Sequence, residues 1–361
     1  MSSALEKIKP QVRQIAPYTL AEYEYDIKIN QNENPFDIPP DIKEDLLDFA
    51  RARDWARYPD FVQDRFAQKL AEHTGWTSAG ILVGNGSNEL IQATLLVTMG
   101  PGAKIAIPVP TFTVYELMST VLGAEVIEIP LKRGDHTFQF DTEAISQVIT
   151  EQRPEVLIIC SPNNPTGNRM SIKDIEKMLV LSDGLVLVDE AYFHFSDATC
   201  LPLLSRYDNL VITRTFSKAF GIAGLRVGYA MGPTQLIAEV FKAKLPYNLN
   251  FFSQEVAIRL LDQWDVLAER VGYLKAQRKI VYDALNEIEG VTAYRSYANF
   301  LLFETPHPPQ TIFSRLAERR ILVRDVSRYP LLSRALRVSI GKAEENQGFL
   351  AALTEVMNEL G

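Results

Sequence analysis

Short apolar runs alternate with longer amphipathic stretches through the middle of the chain. Ile81–Val83, Ile105–Ile107, Val126–Ile129, Val156–Ile159, Leu185–Val188 and Leu210–Ile212 are brief, rich in β-branched residues and almost free of polar positions. That is the pattern of strands buried on both faces. Between several of them apolar residues return at helical spacing, as from Ser87 to Met99 and from Ser171 to Leu181. Strands alternating with helices predict an α/β fold on a largely parallel sheet covered on both faces.

The pattern then changes. From Ser253 to Glu289 the residues Leu260, Trp264, Leu267, Val271 and Leu274 share one helical stripe, with Gly290 as the stop and room for one break. Beyond it, strands at Phe300–Phe303 and Leu336–Ile340 mix with helices at Thr311–Arg319 and Glu344–Leu360, which predicts a small α+β domain. The segment through Pro40 has no long helical pattern and is expected to pack on that tail. The expected organisation is an N-terminal segment (1–45), a large domain (46–265) and a small C-terminal domain (266–361). No repeat or low-complexity tract interrupts it.

Size and composition narrow the class. A chain of 361 residues exceeds what one hydrophobic core usually serves, in keeping with two domains. At 47% hydrophobic and 23% charged it reads as a soluble globular protein, without the roughly 18 uninterrupted apolar residues of a membrane span. The opening MSSALEKIKP lacks the apolar core of a secretory signal, and Cys160 and Cys200 are too few for a disulfide framework. A reducing cytoplasm is the expected setting. A net charge of -8, spread along the chain, sets up no field for nucleic acid or an anionic membrane, so local groups must meet any anionic ligand. His73, His136, His194 and His307 stand far apart and no Cys-x-x-Cys occurs, so no metal site is expected.

In an open parallel sheet ligands bind beyond the carboxyl ends of the strands. Three successive strands end in unusual chemistry. Val156–Ile159 runs into Ser161-Pro-Asn-Asn-Pro-Thr-Gly-Asn168, Leu185–Val188 into Asp189-Glu-Ala-Tyr192, and Leu210–Ile212 into Arg214-Thr-Phe-Ser-Lys-Ala-Phe-Gly221. Parallel strands would bring Asn164, Asp189, Tyr192, Ser217 and Lys218 to one crevice.

A carboxylate at the end of a buried strand is costly unless a cation meets it, and a protonated pyridine nitrogen is such a partner. Read alone, Asp189 is more simply a helix cap; its neighbours favour the ring nitrogen. Lys218 would form an imine with a cofactor aldehyde and later move a proton, both of which need a lowered pKa. Burial and the nearby Arg226 would supply it. An isolated lysine would sit on the surface, which has no use for the dense Ser-Lys-x-Phe-Gly-x-x-Gly-x-Arg run around this one.

Gly84-Asn-Gly-Ser-Asn-Glu89 lies between a strand and a helix, where backbone N–H groups and the helix dipole favour an anion. It lacks the third glycine of a dinucleotide fingerprint and the Gly-Lys-Ser/Thr of a P-loop. A glycine-rich connection with Ser87 or Asn88 as N-cap explains it equally well.

Together these motifs resemble the fold-type I pyridoxal-5′-phosphate (PLP) dependent aminotransferases, within them the histidinol-phosphate aminotransferase branch, over nearly the whole chain. The resemblance implies a large domain with a mostly parallel seven-stranded sheet sandwiched by helices, and a smaller α+β domain. It implies PLP on Lys218 as a Schiff base, Asp189 on the pyridine nitrogen, and Asn164 and Tyr192 on the 3′-oxygen. Ser87, Asn88, Ser217 and Arg226 would surround the phosphate. Phe112 of Pro110-Thr111-Phe112 would stack on the ring. Tyr58, in Arg57-Tyr-Pro-Asp60, is similar to the tyrosine that reaches the partner subunit's PLP phosphate, implying a homodimer with shared sites. Without the resemblance it is a boundary aromatic.

Asn32-Glu-Asn-Pro35, Ala298-Asn-Phe300, Val323-Arg-Asp325 and Leu336-Arg-Val-Ser-Ile-Gly341 are similar to stretches of the histidinol-phosphate branch. By that resemblance Arg337, Arg324 and Tyr18 would hold the anionic end of the substrate. A guanidinium suits phosphate and carboxylate alike, and Arg324 is equally well a surface ion-pair partner. The expected reaction is amino transfer between L-histidinol phosphate and 2-oxoglutarate. The alternatives are a broad or aromatic amino-acid aminotransferase, a threonine-phosphate decarboxylase, and a binding module without turnover. Intact Lys218, Asp189, Tyr192 and Asn164 argue against the last.

Overall fold

Seven strands build the larger sheet, in the order Ile81–Gly84, Gly228–Met231, Leu210–Thr215, Leu185–Asp189, Val156–Cys160, Lys104–Val109 and Glu125–Pro130. The computed structural model describes residues 4–15 and 23–361, so Tyr18 lies outside the described residues. Neighbouring strands are parallel except for Gly228–Met231, which runs antiparallel to both its neighbours. The other six are the strands that the apolar runs predict, but Glu125–Pro130 is not buried on both faces as expected, because it is the edge strand and only Ile129 is buried. Gly228–Met231 escapes that pattern because Gly-Tyr-Ala-Met is short and has no β-branched residue. It holds its place by pairing on both sides.

The central strands are apolar on both faces because both faces are covered. Leu185 and Leu187 pack with Ile105, Ile107, Ile158 and Tyr115 on one side, and Val186 and Val188 with Leu157, Ile159 and Ile212 on the other. Helices Ser87–Thr98, Val114–Leu122 and Thr234–Phe241 bury residues in the first layer, and Thr142–Gln152 and Ile172–Leu181 in the second.

The register positions the site. Cys160 lies beside Asp189, and Asp189 beside Thr213, two residues before the end of its strand, so these three positions are level. Successive strand residues point to opposite faces, and the next pair of side chains meets behind the sheet. There Glu190 Oε2 accepts from Arg214 Nε at 3.0 Å and Nη2 at 2.8 Å, with both side chains almost wholly buried. Cys200 N–H and the Thr199 hydroxyl also donate to Glu190. A buried ion pair survives only with such a set of hydrogen bonds around it, and here it ties the two strand ends together.

A second, antiparallel sheet follows the order Thr292–Ala293, Phe300–Glu304, Ala335–Ser339 and Arg324–Asp325. Helices Pro309–Glu318, Trp264–Glu287 and Ala343–Leu360 pack around it. The long helical stripe is two helices, Phe251–Asp262 and Trp264–Glu287, broken at Gln263. The second ends at Glu287, and Gly290 follows with φ 77°, a left-handed turn that glycine adopts most easily.

Near the N-terminus Ile27–Lys28 pairs in parallel with Ile321–Leu322, and Asn32 N–H donates to Ser339 Oγ. The same segment reaches the large sheet, where the Asn34 amide donates to the carbonyls of Lys218 and Ala219. Among the described residues, no helix is long and apolar enough to cross a membrane, and no group of three His, Cys, Asp or Glu is placed to hold a metal.

Candidate active site

The cavity at the carboxyl ends of the central strands is lined by Ser87, Asn88, Phe112, Asn164, Asp189, Tyr192, Ser217, Lys218 and Arg226, all singled out from sequence. Tyr115, Cys160, Ala191 and Thr215 complete the lining. The Phe112 loop is fastened to the Asn164 loop through Asn163, whose Oδ1 accepts from Thr111 Oγ1 at 2.7 Å and whose amide donates to the Pro110 carbonyl at 2.8 Å.

Lys218 Nζ donates to the Gln31 carbonyl at 3.1 Å. Burial lowers its pKa from 10.5 to about 7, assisted by the positive charge of Arg337 and, less, of Arg226. The sequence pointed to Arg226 as the assisting cation. Arg337 contributes more because the second sheet delivers it to the site, which no sequence spacing reveals. Near neutral pH a large share of Lys218 is therefore the free amine, competent as nucleophile and base.

Asp189 is 4% exposed. Its Oδ2 accepts from the Tyr115 hydroxyl at 2.6 Å, and its Oδ1 from Ala191 N–H at 3.1 Å and Thr213 Oγ1 at 3.2 Å. Burial raises its pKa against these donors. The Ala191 bond is all that is realised of a capping role, since only a three-residue turn, Phe193–Phe195, follows. All three donors are neutral, so the carboxylate charge calls for a cation from the cavity side.

Two further side chains are oriented by their neighbours. Asn32 donates to the Tyr192 oxygen at 3.0 Å, leaving the phenol O–H to donate elsewhere, and burial raises the phenol pKa so that it keeps its proton. Arg337 donates to Asn164 Oδ1, leaving the amide N–H₂ to donate.

At the far end the Ser87–Thr98 helix starts from Gly86 with no side-chain cap, so neither Ser87 nor Asn88 serves as the N-cap that sequence left open. A Cβ on Gly86 would stand 2.6 Å from Arg226 Nη2, and that residue's φ of 81° also suits glycine. Arg226 donates to Ser217 Oγ at 3.3 Å, and Thr215 Oγ1 is 2.9 Å from the same oxygen. Uncapped helix N–H groups, a guanidinium and two serine hydroxyls are a set of donors suited to an anion.

The expected substrate residues stand differently. Arg337 is buried, and its Nη2 donates to the Asn30 carbonyl at 2.8 Å. Arg324 is directly opposite it in the antiparallel register, which places both side chains on one face of the small sheet. Neither lines the cavity itself; Arg337 reaches it through Asn164. Tyr58 is outside its own chain's cavity, 79% exposed and stacked on Tyr247 with ring centroids 4.5 Å apart.

Sequence reasoning missed Tyr115, Thr213, Thr215 and Gln31. Tyr115 looks like one more core aromatic three residues after Phe112; the available signal is that a buried tyrosine hydroxyl needs a partner. Taken together, the cavity suits a flat ligand with an anion at one end, a protonated ring nitrogen at the other, and a carbonyl within reach of an amine.

Residues 25–353 match the aminotransferase class I and II family. The chain is 37% identical to the histidinol-phosphate aminotransferase of Chlorobium phaeovibrioides over 351 residues, 97% of this chain and 96% of that protein. The crystal structure of histidinol-phosphate aminotransferase from Sinorhizobium meliloti in complex with pyridoxal-5′-phosphate is similar with a TM-score of 0.88 at 22% identity, covering 99% of this chain and 100% of that one. L-threonine-O-3-phosphate decarboxylase from Porphyromonas gingivalis has a TM-score of 0.79, also at 22% identity, covering 92% and 99%. At such identities these two structures speak for the fold alone. The family match and the identity sustained over nearly the full length go further: the chain belongs to the aminotransferase class I and II family, and is a transaminase.

Proposed function

We propose that this transaminase moves the amino group of L-histidinol phosphate to 2-oxoglutarate, with PLP as its cofactor. The observation that carries the substrate is the 37% identity to a histidinol-phosphate aminotransferase across both chains. Arg337, which reaches the cavity through Asn164, puts a positive charge beside it that favours a substrate with an anionic end.

PLP, when bound, supplies an electron sink for the charge left when the substrate Cα loses its proton. The residues of this chain do the rest. Lys218 would hold the cofactor, and its free amine would move the proton. Asp189 balances the ring nitrogen's charge, Asn164 and Tyr192 donate to the 3′-oxygen, and Phe112 packs on the ring. Ser87, Asn88, Ser217, Arg226 and the helix N-terminus hold the phosphate.

The reading includes a homodimer in which Tyr58 reaches the partner subunit's site. Trp55 (74% exposed), Tyr58, Phe61 and Leu245 (72%) leave aromatic and aliphatic surface uncovered on one protomer, and such surface commonly marks an interface. Sedimentation should give a dimer; a monomer with full activity at the same concentration would contradict the shared site.

The free amine of Lys218 has a kinetic signature. The amine is cationic below its pKa and nucleophilic above it, so the rate of PLP uptake by ligand-free protein should rise about tenfold per pH unit up to about 7 and then level off. Stopped-flow absorbance would follow it. A rate still climbing tenfold per unit between about pH 8 and 10 would mean an ordinary lysine, and covalent uptake by Lys218→Ala would remove the assignment.

For substrate, kcat/KM should be compared for histidinol phosphate, phenylalanine, tyrosine and aspartate with 2-oxoglutarate as acceptor. Histidinol phosphate should lead by about tenfold to a hundredfold, the worth of one added charge-assisted hydrogen bond. A lead for phenylalanine would favour an aromatic amino-acid aminotransferase instead.

A further inference from the structure

Burial pushes Asp189 toward the neutral acid, and only the groups around it can hold it as the carboxylate. The titratable groups facing it are Tyr115 from the Val114–Leu122 helix, Cys160 from the adjoining strand, Glu190 next in the chain, and Tyr192. Glu190 is turned behind the sheet and paired with Arg214. Burial pushes the Cys160 thiol up to about 12, so it adds no second negative charge, and burial likewise keeps Tyr192 protonated.

Tyr115 alone is joined to the carboxylate by a short bond, 2.6 Å from hydroxyl to Oδ2. Its side chain is wholly buried, and burial together with the Asp189 charge holds the phenol well above its usual pKa, so it remains a donor. The other donors, Ala191 N–H and Thr213 Oγ1, meet Oδ1 at 3.1 and 3.2 Å. Two tendencies oppose each other here: burial favours the neutral acid, and hydrogen bonds donated to the oxygens favour the carboxylate. On Oδ2 the second tendency rests on Tyr115.

We propose that Tyr115 is the positioning residue that keeps Asp189 charged, and thereby keeps the ring nitrogen of bound PLP protonated. This rests on the PLP reading of the cavity. Without the phenol, burial lets Asp189 hold the proton itself, and the ring nitrogen loses its counter-charge. Amino transfer then slows because the proton on the ring, and not the packing of the site, has been lost.

The test is the pH titration of the ring nitrogen by NMR, with PLP labelled with ¹⁵N in the ring and loaded on wild type and Tyr115→Phe. The variant keeps the aromatic packing and should still take up PLP through Lys218. Its ring nitrogen should lose the proton about one pH unit or more below wild type, and its PLP affinity should fall about tenfold, as for one lost charge-assisted hydrogen bond. Thr213→Val, which removes a longer contact, should move the midpoint the same way by less. A Tyr115→Phe titration that overlays wild type overturns the proposal, as does an unmoved Thr213→Val midpoint should Tyr115→Phe not fold. Failure of wild type to take up PLP at all is a separate result, and removes the cofactor reading on which the proposal stands.

Discussion

The site depends on one carboxylate kept out of water. Asp189 ends a strand buried on both faces, level with Cys160 and Thr213, and every protein group that touches its oxygens is a neutral donor. Such an arrangement is costly in isolation and stable with a cation opposite it. The remaining features follow from meeting that demand without supplying the cation from the protein. Glu190 and Arg214 cancel one another behind the sheet, so Arg214 does not serve Asp189. Arg226 is engaged with Ser217 at the anion end, and Arg337 with Asn164 and Asn30.

Burial also sets the state of Lys218. It pushes the amine toward the neutral form, the Arg337 and Arg226 charges assist, and Glu33 pulls the other way. A lysine with a lowered pKa, a cluster of anion-suited donors and a buried carboxylate line one cavity. The same fold also houses a decarboxylase; the family rests on sequence matched across the chain.

Much of this was legible in the sequence for specific reasons. Strands buried on both faces write themselves as apolar runs, and motifs that follow them fall at one sheet edge, so Asn164, Asp189, Ser217 and Lys218 could be gathered before any coordinates. Gly228–Met231 was hidden because its pairing, not its composition, makes it a strand. Tyr115 was hidden because its helix is apolar, and its hydrogen-bond partner Asp189 is 74 residues away in the chain. The influence of Arg337 on Lys218 needed the placement of the second sheet. Tyr58 lies on the surface, outside the lining of its own cavity and stacked on Tyr247.

Borohydride reduction of PLP-loaded protein, followed by tryptic mass mapping, tests the central assignment most directly. The phosphopyridoxyl group should be found on Lys218, within an undivided peptide from Thr215 to Arg226 that trypsin no longer cuts at the modified lysine. A label on another lysine, or no label at all, would contradict the cofactor site described above.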